Sequence, residues 1–591
     1  MLLVASGQAL AASLTVTRTD DPISGTCSAS SCSLRQAIDL ADTDGGSDVI
    51  NIPAGTYQLS NAAGGALPIS ASMTLQGAGA RSTTVVPAAG DEAIAISGGD
   101  VDINGLMFAN STVTGNGGAI GAFGTGTLAL NNDIFSNNGV AGSTDGGAIE
   151  DAASGQLTIN ASTFSGNKGY NGGALDVSPP ARIVNSTFVG NMGGTTSSNG
   201  DAGAMQLSSG TLINDTITGN ECFNGSGCGG GLSGGAVSIA DAIIAGNLAY
   251  DKFTHATSTD NCSSAITVTG PDLTDGSDCT GFTVHGDPQL GPLQDNGGPT
   301  DTQLPAAASP AVDAGGDSTC AASDQRGVPR PQGAHCDIGA VERTTPTAGT
   351  PSVSNLTTTG ASLSATANPV FLGGSYLYSY GTTTEYGHTT TPAQLQAGAG
   401  AQPAPAALSA LTPGTTYHLR LVVTTPDGSA SSQDVTFTTQ SVPKPAVPKP
   451  AISSLAVSPR SFSLAGRKVG GHCVKPTKKN NGNKHCRRPI RLRVSYKLNI
   501  AARVTLKLER QVAGRKVNGR CVKPTKNNGK HKKCKRLVNV PGQVTLSGNA
   551  GINQFTFTGK IGRHELGPGT YELIATPNGG NARSTSLKIL R

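Results

Sequence analysis

Leu157-Thr158-Ile159-Asn160-Ala161-Ser162-Thr163-Phe164-Ser165-Gly166-Asn167 is followed, 24 residues on, by Ala181-Arg182-Ile183-Val184-Asn185-Ser186-Thr187-Phe188-Val189-Gly190-Asn191. The unit is a short apolar run, an anchor hydrophobe and an asparagine three residues later. The same offset relates Met107, Phe135, Phe164, Phe188, Ile217 and Ile244 to Asn110, Asn138, Asn167, Asn191, Asn220 and Asn247, at intervals of 24 to 29 residues. A small-residue element follows five of these anchors, as in Gly117-Gly118-Ala119-Ile120, Gly146-Gly147-Ala148-Ile149 and Gly172-Gly173-Ala174-Leu175. A unit this short cannot bury a core alone and must stack on its neighbours. Its apolar runs are only three to five residues long and are punctuated by Gly and Asn, which suits strands and not helices. The sequence therefore predicts a right-handed parallel β-helix, with the asparagines as a turn ladder and Phe135, Phe164, Phe188 and Ile217 in one interior column.

Composition bounds the rest of the chain. With 591 residues, 81 Gly, 33 Pro, no Trp and 4% aromatic residues, it is too long for one core and suits turn-rich β modules. The expected class is all-β, a solenoid followed by two β-sandwich domains. Residues 1–12 read as part of a signal peptide, with Ala9 and Ala11 as small residues before a cleavage point. Residues 13–69 form a cap, 70–343 the β-helix and its closing region, 344–440 a sandwich, 441–450 a Pro/Lys linker and 451–591 a basic sandwich. No stretch reaches the length of a membrane-spanning helix.

The twelve cysteines fall into near neighbours: Cys27 with Cys32, Cys222 with Cys228, Cys262 with Cys279, Cys320 with Cys336, Cys473 with Cys486, and Cys521 with Cys534. This pattern predicts six local disulfides made in an oxidising compartment. Zinc is the alternative, and His472 and His485 flank one pair, but no tight double pair occurs.

Charge is segregated. Residues 13–343 hold 9 Lys plus Arg against 32 Asp plus Glu, whereas residues 444–591 hold 32 against 3. Fields this lopsided direct the two regions to different partners. Within the basic region, Gly466–Arg488 and Gly514–Arg536 are identical at 15 of 23 positions, and each contains Cys-Val-Lys-Pro-Thr-Lys. Lys475, Lys478, Lys479, Lys523, Lys526 and Lys530 are the candidate polyanion-binding residues of two disulfide-pinned fingers. The fingers lack aromatic stacking platforms, which argues against sequence-specific nucleic-acid binding.

Several segments carry resemblances. Cys32-Ser33-Leu34-Arg35-Gln36-Ala37-Ile38 resembles the N-terminal module with a C-S-L-R-E-A signature in exported bacterial β-helix proteins, with Gln36 where Glu is usual. The resemblance implies a cap. Independently, Ser33 and Gln36 make a capping box, and Leu34, Ala37, Ile38 and Ala41 form one apolar stripe. Asp287–Thr300, Ser309–Gly315, Asp324–Gly327 and Cys336–Glu342 resemble the bacterial choice-of-anchor Q domain, which implies closure of a surface protein's β-helix. Asp313, Asp324 and Asp337 there are candidates for a calcium ion or for pairing with Arg326 or Arg330. Leu411-Thr412-Pro413-Gly414-Thr415-Thr416-Tyr417 and the strand after it resemble a fibronectin type III module, which implies a spacer. The region from 451 resembles a β-sandwich of exported actinobacterial proteins.

Parallel β-helices often resemble pectate lyases or polygalacturonases, so a polysaccharide enzyme is the competing class. The coils lack the Asn-Thr-Asp, Asp-Asp, Gly-His-Gly and Arg-x-Lys elements of a polygalacturonase. Asp133, Asp151, Asp176 and Asp215 read as scattered, and only Lys168, Arg182 and Lys252 offer positive charge along the coils. No catalytic, cofactor or metal residue is assigned. The reading is an exported surface or matrix protein whose basic tail meets an anionic envelope polymer or glycan, while its solenoid faces a glycan or protein.

Overall fold

A computed structural model describes residues 12–113, 117–140, 145–194, 200–223, 228–251, 253–263, 266–398 and 400–591. Most of the signal-peptide segment, and Lys252, lie outside the described residues. The chain forms two compact units, 1–442 and 443–591, and the expected all-β class is the one observed.

The first unit opens with a parallel β-helix. Each coil lays down a strand of a small-residue column, then a strand of a second column, a three-residue strand carrying the anchor, and a short fourth strand. Ile149–Asp151, Leu157–Asn160, Thr163–Ser165 and Lys168–Gly169 form one such coil. The first two columns fuse where Met205–Ile213 and Leu232–Ala240 run unbroken through both, which gives one 15-stranded sheet beside sheets of ten and seven strands. Parallel register places Phe135 on Phe164, Phe164 on Phe188, Phe188 on Ile217 and Ile217 on Ile244. The three successive ring pairs from Phe108 to Phe188 stack at centroid distances of 5.1, 4.7 and 4.6 Å.

The register corrects one expectation. In the first coil of the sequence repeat Phe108, not Met107, enters the column, and Ser111, not Asn110, takes the ladder position. Met107 and Phe108 are both apolar, so the offset to the next asparagine selected the wrong one of the two.

The ladder itself is complete from Asn138 to Asn261. Each amide Nδ2 donates to the Oδ1 of the next coil's asparagine: Asn138 to Asn167 at 3.1 Å, Asn167 to Asn191, Asn191 to Asn220 and Asn220 to Asn247 at 2.9 Å, and Asn247 to Asn261 at 3.0 Å. The same Oδ1 atoms accept the backbone N–H of the previous asparagine, and the amides also donate to anchor carbonyls such as those of Phe135 and Phe164. A buried polar row costs stability unless every group is paired, and here the donors are.

The Gly-Gly-Ala element has a steric cause. A Cβ on Gly118 would lie 1.9 Å from the carbonyl oxygen of Gly147, one on Gly147 2.0 Å from that of Gly173, and one on Gly173 1.9 Å from that of Gly203. Successive coils approach too closely there for any side chain.

At the N-terminal end, helix Leu34–Asp44 has the expected capping box, and Leu34, Ala37, Ile38 and Ala41 join the solenoid core. Arg35 is structural: its guanidinium holds Asp21 at 2.8 Å and the carbonyls of Gly65 and Ala66. The region 287–343 runs back along the anchor-bearing sheet. Gln325 reaches Thr163 and Thr187, Thr300 donates to the Ala161 carbonyl, and Ala340 N–H donates to Thr216. Threonines one residue before the anchors are buried because this strap covers them.

Antiparallel sheets of a sandwich follow, with Tyr378, Leu419, Leu421 and Val423 at the centre of its core. Tyr417 Oη accepts the Thr412 N–H at 3.0 Å and fixes the corner before its strand. Asp427 of this sandwich ties into the strap, taking both terminal guanidinium nitrogens of Arg326 and the N–H and hydroxyl of Thr344.

In the second unit, Ile452–Ser458, Leu492–Leu498 and Gly551–Phe557 form one sheet. The facing sheet centres on Ala502–Val517, which pairs with Lys533–Gly548 and Gly569–Pro577. Alternating residues such as Val494, Tyr496, Leu506, Leu508 and Leu573 fill the space between the two.

Candidate functional site

All six cysteine pairs form as expected: Cys27–Cys32, Cys222–Cys228, Cys262–Cys279, Cys320–Cys336, Cys473–Cys486 and Cys521–Cys534. The last two close the basic fingers. Each finger is a hairpin that leads into a 3-10 turn, Lys478–Asn480 in the first and Lys526–Asn528 in the second.

The two fingers repeat one set of braces. Asn480 Oδ1 accepts the Thr477 N–H and its Nδ2 donates to the Lys475 carbonyl, while Asn528 does the same with Thr525 and Lys523. Arg467 donates to the Asn483 carbonyl at 2.9 Å and Arg515 to that of His531 at 2.8 Å. A Cβ at Gly466 or Gly514 would stand 2.4 Å from the Sγ of Cys473 or Cys521, so glycine opens each duplicated segment to admit the disulfide. His472 and His485 are exposed, and Cys473 and Cys486, the residues that follow them, are joined in a disulfide, which removes the thiolates that zinc would need.

The braces spend backbone groups, asparagines and arginines and leave the lysines outside. Lys475, Lys478, Lys479, Lys523, Lys526 and Lys530 are all exposed, and among the described residues none is in an ion pair. Fixed ammonium groups on two braced turns can hold a polyanion by charge, with little ordering of the loop on binding.

The solenoid holds a different set of charges. Asp133 and Asp215 were read as scattered, but they share one corner position with Ser162 and Ser186, two residues before each anchor. There Asp133 accepts the Leu106 N–H at 2.7 Å, Ser162 Oγ the Asp133 N–H, Ser186 Oγ the Ser162 N–H, and Asp215 the Ser186 N–H at 2.8 Å. Burial drives both carboxyls well above the ordinary carboxylate range, so these acids are structural.

A second row was not visible in the sequence. Glu150 pairs in register with Asp176 on the next coil, and Asp176 with Gln206. Burial, reinforced by Asp145, Asp176 and Glu92, pushes Glu150 up to about 7. Burial, reinforced by Asp145, pushes Asp176 up to about 6, and burial beside Asp91 pushes Glu92 up to about 7. Such carboxyls can hold and release protons near neutrality.

At the strap, Asp324 pairs with Arg326 and Arg330 with Glu342. Asp337 accepts the backbone N–H groups of Asp313 and Arg343. Pairing and backbone hydrogen bonds thus take up the Asp324 and Asp337 carboxylates, while exposed Asp313 accepts, among the described residues, only the His335 N–H at 3.3 Å. Among the described residues no group of three or more His, Cys, Asp or Glu side chains is arranged to hold a metal ion. No helix among them is long and apolar enough to cross a membrane.

No family model matches the chain, and no curated protein matches it. Among solved structures it is similar to the sensor domain of the anti-sigma factor RsgI4 from Pseudobacteroides cellulosolvens, with 21% identity over 18% of this chain and 98% of that one and a TM-score of 0.15. It is also similar to Salmonella alpha-2-macroglobulin reacted with methylamine, with 10% identity over 43% of this chain, 17% of that one and a TM-score of 0.14. Neither likeness carries a functional argument.

Proposed function

We propose that this chain is a non-catalytic, exported surface or matrix protein that its basic C-terminal unit attaches to an anionic envelope polymer. One observation carries the reading: the duplicated fingers direct every candidate lysine outward from braced turns, in a region with 32 basic and 3 acidic residues. Six disulfides support export. In this reading residues 13–69 act as a cap of the C-S-L-R-E-A type, 287–343 as a choice-of-anchor Q-like strap and 344–440 as a fibronectin-like spacer. The solenoid presents its remaining face to a glycan or protein.

The test is pull-down of the full chain on purified cell envelopes across a salt series. Raising salt from 0.1 to 1 M shortens the Debye length from about 10 to about 3 Å and should release the protein. Replacing Lys475, Lys478, Lys479, Lys523, Lys526 and Lys530 with Gln should do the same at low salt. Retention that ignores both changes would remove the fingers from attachment.

A second reading, a carbohydrate-active enzyme, is favoured by the adjacent Glu150 and Asp176 carboxyls with their raised proton affinities. It expects sugar release from a neutral polysaccharide that E150Q and D176N each abolish.

A further inference from the structure

The second unit contains a cleft of about 330 Å³ at the base of its fingers. Val512, Val538, Val540 and Leu566 give it an apolar floor, and Arg510, Asn539, His564 and Glu565 stand at its rim. Arg510 and Val512 belong to the strand that runs up to the second finger, and Val538, Asn539 and Val540 to the strand that returns from it. The pairing register shifts between Leu506 and Leu508, opposite Pro541 in the cleft wall. The first finger meets the opposite wall. Arg487, beside Cys486, donates to the Leu566 carbonyl at 3.3 Å and lies 3.6 Å from Glu565. The cleft is therefore flanked by both fingers.

Glu565 is out of place for a surface that binds only by charge. The basic region has three acids. Glu509 and Glu572 are cross-strand neighbours on the large sheet, and the Ser584 hydroxyl donates to Glu572. Glu565 alone lines the cleft, on the short hairpin that pairs Lys560–Ile561 with His564–Glu565. Its pairing with Arg487 is loose, with the side chains 57% and 58% exposed, so a ligand can replace it. A carboxylate repels phosphate and carboxylate groups but accepts hydrogen bonds from hydroxyls. The wall opposite is held rigid: the Arg510 guanidinium donates to the Pro568 carbonyl at 2.8 Å and lies 5.8 Å from the Tyr571 ring centroid.

We infer that this cleft seats one sugar ring of a polyanionic glycan, with Glu565 and His564 taking its hydroxyls while the flanking fingers hold the charges on either side. The inference rests on the proposed attachment function and narrows its ligand from any polyanion to one built from sugars. An apolar floor with a few convergent polar groups suits such a ring, whose faces are apolar and whose edge carries hydroxyls.

The experiment measures binding of the full chain to polygalacturonate and to polyacrylate of matched length and charge at 0.15 M salt. The same contrast is made between a sugar-phosphate polymer and inorganic polyphosphate, which separates uronate from phosphodiester as the source of charge. The sugar polymer of at least one pair should bind about tenfold more tightly than its sugarless partner, the worth of one charged hydrogen bond. H564A/E565Q should erase that preference without weakening sugarless binding, since it removes a carboxylate that repels polyanions. E565K should strengthen polyacrylate binding and still show no preference, which also reports a folded domain. Equal binding within both pairs, or a preference that survives H564A/E565Q, overturns the inference while leaving the fingers as a tether. Loss of all polymer binding overturns the tether as well.

Discussion

The solenoid and the basic unit both use repetition, but in opposite directions. In the solenoid the repeated polar residue, asparagine, points inward and is fully paired, so repetition there solves a problem of structure. In the second unit the duplicated lysines point outward and the duplicated asparagines, arginines and glycines hold them there. A repeated residue marks a binding surface only where its side chain has no partner within its own repeat.

The largest test of this contrast is Phe164→Ala. It removes the middle of a stacked aromatic column and should cost about 3–5 kcal/mol, read as a loss of the solenoid's unfolding transition at lower denaturant. A cost near that of a surface substitution would show that the column packs loosely. Asn191→Ala should come next. It orphans the backbone N–H of Asn167 and one of its two Nδ2 hydrogens, the other staying on the Phe135 carbonyl, at about 1–3 kcal/mol for each unpaired buried donor, and amide exchange should accelerate at Asn167 before the chain ends.

A third prediction concerns pH. Glu92, Glu150 and Asp176 have folded-state values raised to about 7, 7 and 6, against about 4 in an unfolded chain. The folded solenoid therefore binds more protons within this window, and its stability falls as pH rises from about 4 through about 7. E150Q with D176N should flatten the slope of the melting midpoint against pH. An unchanged slope would assign the pH dependence to other groups. The smallest effect is expected for the six Lys→Gln changes on folding of the basic unit: each should stay within about 0.5 kcal/mol in urea unfolding, since the braces do not use the lysines. A larger loss would mean that the fingers support the sandwich.

Much of this was legible in the sequence because it repeats locally. The anchor phenylalanines, the asparagine spacing and the cysteine pairs each lie within about one coil of a copy or partner. What escaped has physical reasons. Met107 and Phe108 are interchangeable to a hydrophobic pattern, so only stacking selects the ring. The corner row uses Asp or Ser as equivalent acceptors, and two chemistries at one position look like no pattern at all. Glu150 and Asp176 become neighbours only after coils of unequal length are superposed. The course of the strap along the flank depends on contacts between Gln325 and threonines more than a hundred residues earlier, which no local signal encodes. At Glu565 the signal was available, as one of three acids in a basic region, but its place between the fingers was not.

The asparagine row also has a direction. Each ladder amide sends one Nδ2 hydrogen to the next coil's asparagine oxygen, returns the other to the preceding coil's anchor carbonyl, and points its own oxygen back, so the O=C–N–H links run head to tail along the axis, as peptide units do in a helix. The positive end falls at Asn261, whose Nδ2 donates to Thr274 Oγ1 at 3.1 Å and to the Asp275 carboxylate at 3.0 Å. Asp275 thus serves this electret as an acidic residue serves the first turn of a helix. Removing its charge should loosen the far end of the stack first and send fraying inward from the C-terminal coil.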